Sequence, residues 1–290
     1  MMISEDAGAG QQWWNAAMGW WMWPVLVGAT GYTAVMASVY ALQRSMMYVP
    51  HPIMTSPQKA GVPEMSELVL HTVDGLALTS WYAPARDGQP TVIYCHGNAG
   101  NIATRAFKVR PFLDRGYGVL LVGYRGYGGN PGAPSEDGLH MDAMAGVQHL
   151  KASGIPLTRV LYYGESLGSG VAVRLAAESE PPGALVLEAP YTSTVDVARG
   201  TYWFLPVKQI MKDRYESVAR IGRIGTPLLV LHGEKDGVVP VELGRQLFAA
   251  AAEPKEAVYF EDGGHVDLFD RGAIPKIFDF LERRLIPASH

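Results

Sequence analysis

Hydrophobic and polar positions divide this 290-residue chain into two regimes. From Ala7 to Gln43, 37 residues pass without an Asp, Glu, Lys, Arg or His. Beyond Pro50, short apolar runs alternate with longer mixed stretches. Residues 68–71 and 76–82 flank Asp74-Gly75, a hairpin signal. Runs without polar alternation follow at 91–95, 119–122, 160–163, 184–187, 227–231 and 257–260. Strands buried on both faces read this way, as in a mostly parallel sheet. Between them, helical stretches are expected at 102–114, 137–152, 167–178, 241–252 and 267–285. This alternation predicts an α/β fold with helices on both faces of the sheet and right-handed crossovers. The connection 191–225 is too long for a simple turn and predicts a short lid.

The uncharged segment predicts a membrane anchor. Its densest part, about residues 20–42, would extend roughly 35 Å as a helix, enough to span a bilayer core. Trp13, Trp14, Trp20, Trp21 and Trp23 cluster at one end and Tyr40 and Tyr48 lie toward the other, as interfacial belts do. Pro24 falls near the expected helix start, where a missing N–H costs little. A signal peptide would carry a basic flank, whereas this one carries Glu5 and Asp6. An amphipathic surface helix would show polar residues at helical spacing, and this segment has almost none. A helix packed on the soluble domain is the remaining alternative. Arg44 follows the span and no Lys or Arg precedes it, which places the C-terminal domain on the cytoplasmic side.

Composition removes other classes. A net charge of −4 without any basic run argues against nucleic acid as a partner. A single cysteine, Cys95, excludes an intrachain disulfide and thiolate zinc sites. It closes the run Thr-Val-Ile-Tyr-Cys and reads as a buried strand residue.

The chemistry begins at Gly164-Glu165-Ser166-Leu167-Gly168, a G-x-S-x-G pattern between a strand-like run and a helical stretch. Glycines on both sides suit a crowded strand-to-helix turn that exposes a nucleophilic serine. His96-Gly97-Asn98-Ala99-Gly100-Asn101 follows an earlier strand, where this arrangement draws its second oxyanion donor. The backbone N–H groups of Asn98 and Leu167 are therefore the candidate donors. A general base is expected last in chain order, and Gly263-Gly264-His265 supplies it. His96 is expected to be tied into its turn and His232 to be structural. Asp236, after the buried run 227–231, is the candidate acid that orients His265, with Glu188 as its rival. Glu234 reads as a solvated loop charge.

These motifs, with Gly-Tyr-Arg-Gly-Tyr-Gly-Gly-Asn-Pro-Gly at 123–132 and Pro-Leu-Leu-Val-Leu-His-Gly-Glu-Lys-Asp-Gly-Val-Val-Pro at 227–240, resemble the membrane-anchored Bem-type α/β-hydrolases. That group is similar to monoglyceride and lysophosphatidylserine lipases and protein depalmitoylases. The resemblance covers roughly residues 45–285. It implies an α/β-hydrolase fold, an N-terminal anchor, and triad roles for Ser166, Asp236 and His265. Gly123 departs from the pattern, since such relatives usually carry an aspartate there.

The expected organisation is an N-terminal segment, residues 1–45, followed by a hydrolase domain, 46–290, whose lid occupies 191–225. The expected activity is hydrolysis of a carboxylic ester or thioester through an acyl-serine intermediate, with no cofactor or metal. A serine nucleophile disfavours the dehalogenases and epoxide hydrolases of this fold, which use a carboxylate. The anchor points to acyl, lipid-like substrates and to membrane lipid as partner. Residues 202–206, Tyr-Trp-Phe-Leu-Pro, would either line an acyl pocket or form the core of a small lid. A peptidase or amidase, and a membrane-tethered scaffold without activity, are the alternative functions.

Overall fold

The computed structural model describes residues 7–86 and 88–285, with side chains from Met22 onward. Two compact units divide between Gln43 and Arg44. The first is most of one long helix, α1 (Ala7–Met47). Its part Met22–Met47 is long and apolar enough to cross a membrane. Trp23, Val25 and Val27 are exposed along it. The side chains of Trp13, Trp14, Trp20 and Trp21 lie outside the described residues. Because α1 already starts at Ala7, Pro24 sits in the helix interior and not near its start. The ring there removes one backbone hydrogen bond.

The second unit carries an eight-stranded sheet. In chain order its strands are β1 (Ser66–His71), β2 (Ala77–Ala83), β3 (Thr91–Cys95), β4 (Gly118–Leu121), β5 (Val160–Glu165), β6 (Ala184–Glu188), β7 (Leu228–Gly233) and β8 (Lys255–Phe260). Their spatial order is β8-β7-β6-β5-β3-β4-β2-β1. β2 runs antiparallel to both β1 and β4, and all other neighbours are parallel. The wholly apolar runs became the central strands: β3, β4 and β6 are buried at every position. The edge strand β1 alternates toward solvent, as a one-sided strand does.

Helices cover both faces, as expected. α3 (Glu136–Ala152), α4 (Leu167–Glu178) and α7 (Val241–Ala250) bury Leu139, Val171 and Leu247 on one side. On the other, α2 (Ala106–Asp114) and α8 (Ala273–Arg284) bury Phe112 and Ile277. The start of α3 is set by chemistry: Ser135 Oγ accepts from the Gly138 N–H, and Glu136 and Asp137 occupy the first turn, where the helix dipole favours negative charge.

Three differences from the sequence reading matter. α8 begins at Ala273, not near 267, because Asp267 accepts from the Gly264 N–H and Gly272 adopts φ +89°, which interrupts the helix. The segment 191–225 folds into α5 (Thr194–Thr201), α6 (Val207–Ile210) and a short 3₁₀ turn, Ile221–Arg223. Its Trp203 is 82% exposed and Phe204 51% exposed, so neither forms a lid core; within 202–207 the buried residues are Leu205 and Val207. Finally, Val49–Pro50 pairs in parallel with Ala99–Gly100, a contact no pattern in the sequence announced.

Candidate active site

β5 ends at Glu165, and the chain turns at Ser166 with φ 50° and ψ −118° before α4 begins at Leu167. A positive φ is costly for a non-glycine residue and persists only where the surroundings enforce it. Two contacts do so: the Ser166 N–H donates to the Glu188 carbonyl (2.8 Å), and a Cβ on Gly168 would collide with the Cys95 carbonyl. Gly168 is thus what allows α4 to lie against the end of β3.

The structure brings Ser166, His265 and Asp236 together from three loops. Ser166 Oγ lies 3.0 Å from His265 Nε2, and His265 Nδ1 lies 2.7 Å from Asp236 Oδ2. The other Asp236 oxygen accepts the N–H groups of Val238 and Val239, each at 2.8 Å. Burial raises the carboxyl's pKa, but hydrogen bonds from His232 and His265 outweigh it and hold Asp236 well below the usual carboxylate range. An ionised Asp236 accepts only, so His265 Nδ1 carries the proton and Nε2 turns its lone pair to the serine hydroxyl. Gly233 makes this convergence possible, because any Cβ there would strike the carbonyls of Gly263 and Gly264.

The other candidates fall into place around this line. His232 is buried and donates from Nε2 to the Val239 carbonyl (2.9 Å), which fixes the turn after β7. Glu234 pairs with Arg245 at the surface. The Glu188 carboxylate is taken by Lys108 Nζ and by the Tyr163 hydroxyl, both at 2.7 Å. It belongs to a buried network with Glu165, Arg105 and Tyr94, whose Tyr94 and Tyr163 rings stack at 4.8 Å. Two carboxylates in register on β5 and β6 are thus neutralised beneath the serine. No spacing in the sequence announced this network, because a buried lysine looks like any other lysine.

Leu167 follows the serine directly, and Asn98 lies two residues beyond His96, whose carbonyl a Cβ on Gly168 would strike. Among the described residues, neither backbone N–H donates to another protein group. His96 is fully buried, and its Nδ1 donates to the Gly97 carbonyl at 2.8 Å, as expected of a histidine tied into a turn. Desolvation by burial lowers its pKa to about 3, and the charge of Arg105 adds to that. The ring is therefore neutral near pH 7. Cys95 is buried with its thiol pushed up to about 12 by desolvation, which makes it a poor nucleophile.

Gly123 leaves no room for an aspartate, since a Cβ there would collide with the Thr79 carbonyl. The loop is instead pinned by Arg125, which donates to Asp142 and in a fork to Asp74, and by Asn130 at the Thr79 backbone.

Residues 90–217 match the family model described as alpha/beta hydrolase fold. An uncharacterized protein of Mycobacterium tuberculosis is 40% identical over 246 residues, covering 84% of this chain and 87% of that one. The chain belongs to the α/β-hydrolase family. Among its relatives, a lysophosphatidylserine lipase, ABHD12 of Danio rerio, is 32% identical over 240 residues, 69% of this chain and 62% of the lipase. The Pyrococcus furiosus esterase Pf2001 shares the fold with a TM-score of 0.68 at 24% identity, covering 82% of this chain and 99% of the esterase.

Proposed function

We propose that the protein is a membrane-anchored serine esterase acting on acyl, lipid-like esters or thioesters. The observation that carries this reading is the unbroken line from Asp236 through His265 to the Ser166 hydroxyl. Ser166 Oγ attacks the acyl carbon while His265 Nε2 takes its proton, and Asp236 stabilises the imidazolium that forms. The developing oxyanion is received by the N–H groups of Leu167 and Asn98, each worth roughly 3–4 kcal/mol in comparable sites. His265 returns the proton to the leaving oxygen or sulfur. Water, activated by the same histidine, then cleaves the acyl-serine.

The lipid-like substrate is supported by a relative named as a lysophosphatidylserine lipase and by the apolar helix α1. In this reading the segment 191–225 is a short lid that exposes Trp203 and Phe204 toward the acyl chain or the membrane surface. A series of p-nitrophenyl esters is expected to show kcat/KM rising with chain length beyond four carbons. A flat or falling series would remove the lipid-like assignment.

The anchor has its own test. Full-length protein is expected to pellet with membranes, to resist carbonate and high salt, and to be released by detergent. Deleting residues 1–43 leaves Arg44 and its 2.7 Å ion pair with Asp213 in place. That shortened chain is expected to be soluble and active on short esters, and to lose activity on long acyl chains held in a bilayer. Extraction of the full chain by salt alone would defeat the anchor. The side of the membrane is proposed from Arg44 as cytoplasmic, and protease protection in sealed vesicles reads it.

A further inference from the structure

The apolar helix does not hand the chain over to a slack linker. Directly after α1 ends at Met47, residues 48–53 form a strap that is hydrogen-bonded along the loop holding Asn98. The Val49 N–H donates to the Asn98 carbonyl (3.0 Å), and the His51 N–H donates to the Gly100 carbonyl (2.9 Å). In return Asn98 Nδ2 donates to the Met47 carbonyl (3.1 Å), and Asn101 Nδ2 donates to the carbonyls of His51 (3.2 Å) and Ile53 (2.8 Å). The strap is itself fixed below, where the buried hydroxyls of Tyr48 and Tyr215 meet at 3.0 Å.

These bonds act on both peptide planes around Asn98. The plane that carries the Asn98 N–H has its carbonyl, that of Gly97, held by His96 Nδ1. The next plane has its carbonyl, that of Asn98, held by the Val49 N–H and by the Tyr127 hydroxyl at 2.8 Å. The first clamp comes from the residue that follows β3, the second from the strap together with the β4–α3 loop. With both in place the Asn98 N–H has one direction left to point. An oxyanion donor works only when it is fixed before charge develops, and a shift of about 1 Å can cost on the order of 10²-fold in rate.

We infer that the strap, residues 48–53, is a positioning element of the active site, with the Val49 N–H setting the aim of the Asn98 donor. The inference rests on the reading of Asn98 and Ser166 given above. It makes the segment joining anchor to enzyme part of the catalytic apparatus. Any pull or displacement of the anchor that shifts Val49 then changes turnover.

Full-length Val49→Pro removes the N–H donor, and Asn98→Ala removes the side-chain bond to Met47 while keeping the backbone donor. Both are compared with wild type and Ser166→Ala on p-nitrophenyl butyrate and with a trifluoromethyl ketone, which forms a tetrahedral adduct. For each strap variant kcat is expected to fall about tenfold or more with KM changed less than about threefold. The ketone's inhibition constant is expected to weaken by the same factor as kcat/KM. A role confined to stability would lower the melting temperature and leave both quantities unmoved. Should Val49→Pro fail to fold, Asn98→Ala decides. Folded variants with wild-type kcat and ketone affinity would overturn the inference, while an inactive Ser166→Ala would leave the esterase reading standing. Turnover surviving in Ser166→Ala would instead overturn that reading.

Discussion

Ser166→Ala is expected to fold with a wild-type melting temperature and to lose on the order of 10⁵–10⁶-fold in kcat on short esters. The side chain sits at a turn whose strain is borne by backbone contacts, to the Glu188 carbonyl and at Gly168, and not by the hydroxyl. Removing one oxygen therefore leaves the elbow intact. What goes is the oxygen that meets His265 Nε2 at 3.0 Å. Without it the remaining donors can still polarise an ester, which leaves a small residual rate above the uncatalysed reaction. Circular dichroism and steady-state kinetics on the same preparation check both halves. Activity within a factor of ten of wild type would mean that another group carries the acyl chain.

The second large effect is expected at Asp236. Asp236→Asn should cost about 10⁴-fold in kcat, because an amide that donates to Nδ1 holds the imidazole in the wrong tautomer. Nε2 then carries the proton and has no lone pair for the serine. The same change also removes a charge that accepts two backbone N–H groups and a bond from His265, so some stability goes with it. Glu188→Gln is the informative companion. It breaks a buried ion pair with Lys108, a class of change that costs up to 3–5 kcal/mol. It is expected to lower the melting temperature by several degrees while kcat stays within about tenfold of wild type. If kcat collapses in Glu188→Gln and survives in Asp236→Asn, the orienting acid is Glu188.

The sequence was most informative where one residue type has few substitutes. Unbroken apolar runs located the central strands because burial on both faces leaves no polar position in register. The glycines around Ser166 were legible because nothing larger fits: a Cβ on Gly168 would strike Cys95, and one on Gly164 would strike Gly168 and Ser169. Position after a predicted strand, taken with chain order, then favoured His265 over seven other histidines and Asp236 over Glu188. Interactions between residues far apart in sequence with ordinary side chains were not legible. Lys108 meets Glu188 across 80 positions, and Val49 meets Asn98 through backbone atoms that carry no side-chain signature. Residues 202–206 stayed ambiguous between pocket lining and lid core for a related reason: an aromatic run does not show its exposure unless the surrounding loop is known, and Trp203 and Phe204 prove exposed. Pro24 was misplaced because helix propensity from Ala7 onward lengthened α1 beyond the apolar stretch that defined it.

The claim at the centre is that one serine becomes covalently acylated. Full-length protein treated with a fluorophosphonate, digested and mapped by mass spectrometry tests it at the atom concerned. A single stoichiometric adduct is expected on the peptide containing Gly164-Glu165-Ser166-Leu167-Gly168, absent after Ser166→Ala and formed far more slowly after His265→Ala. An adduct on any other residue, or a Ser166→Ala protein that still labels to completion, would contradict the assignment.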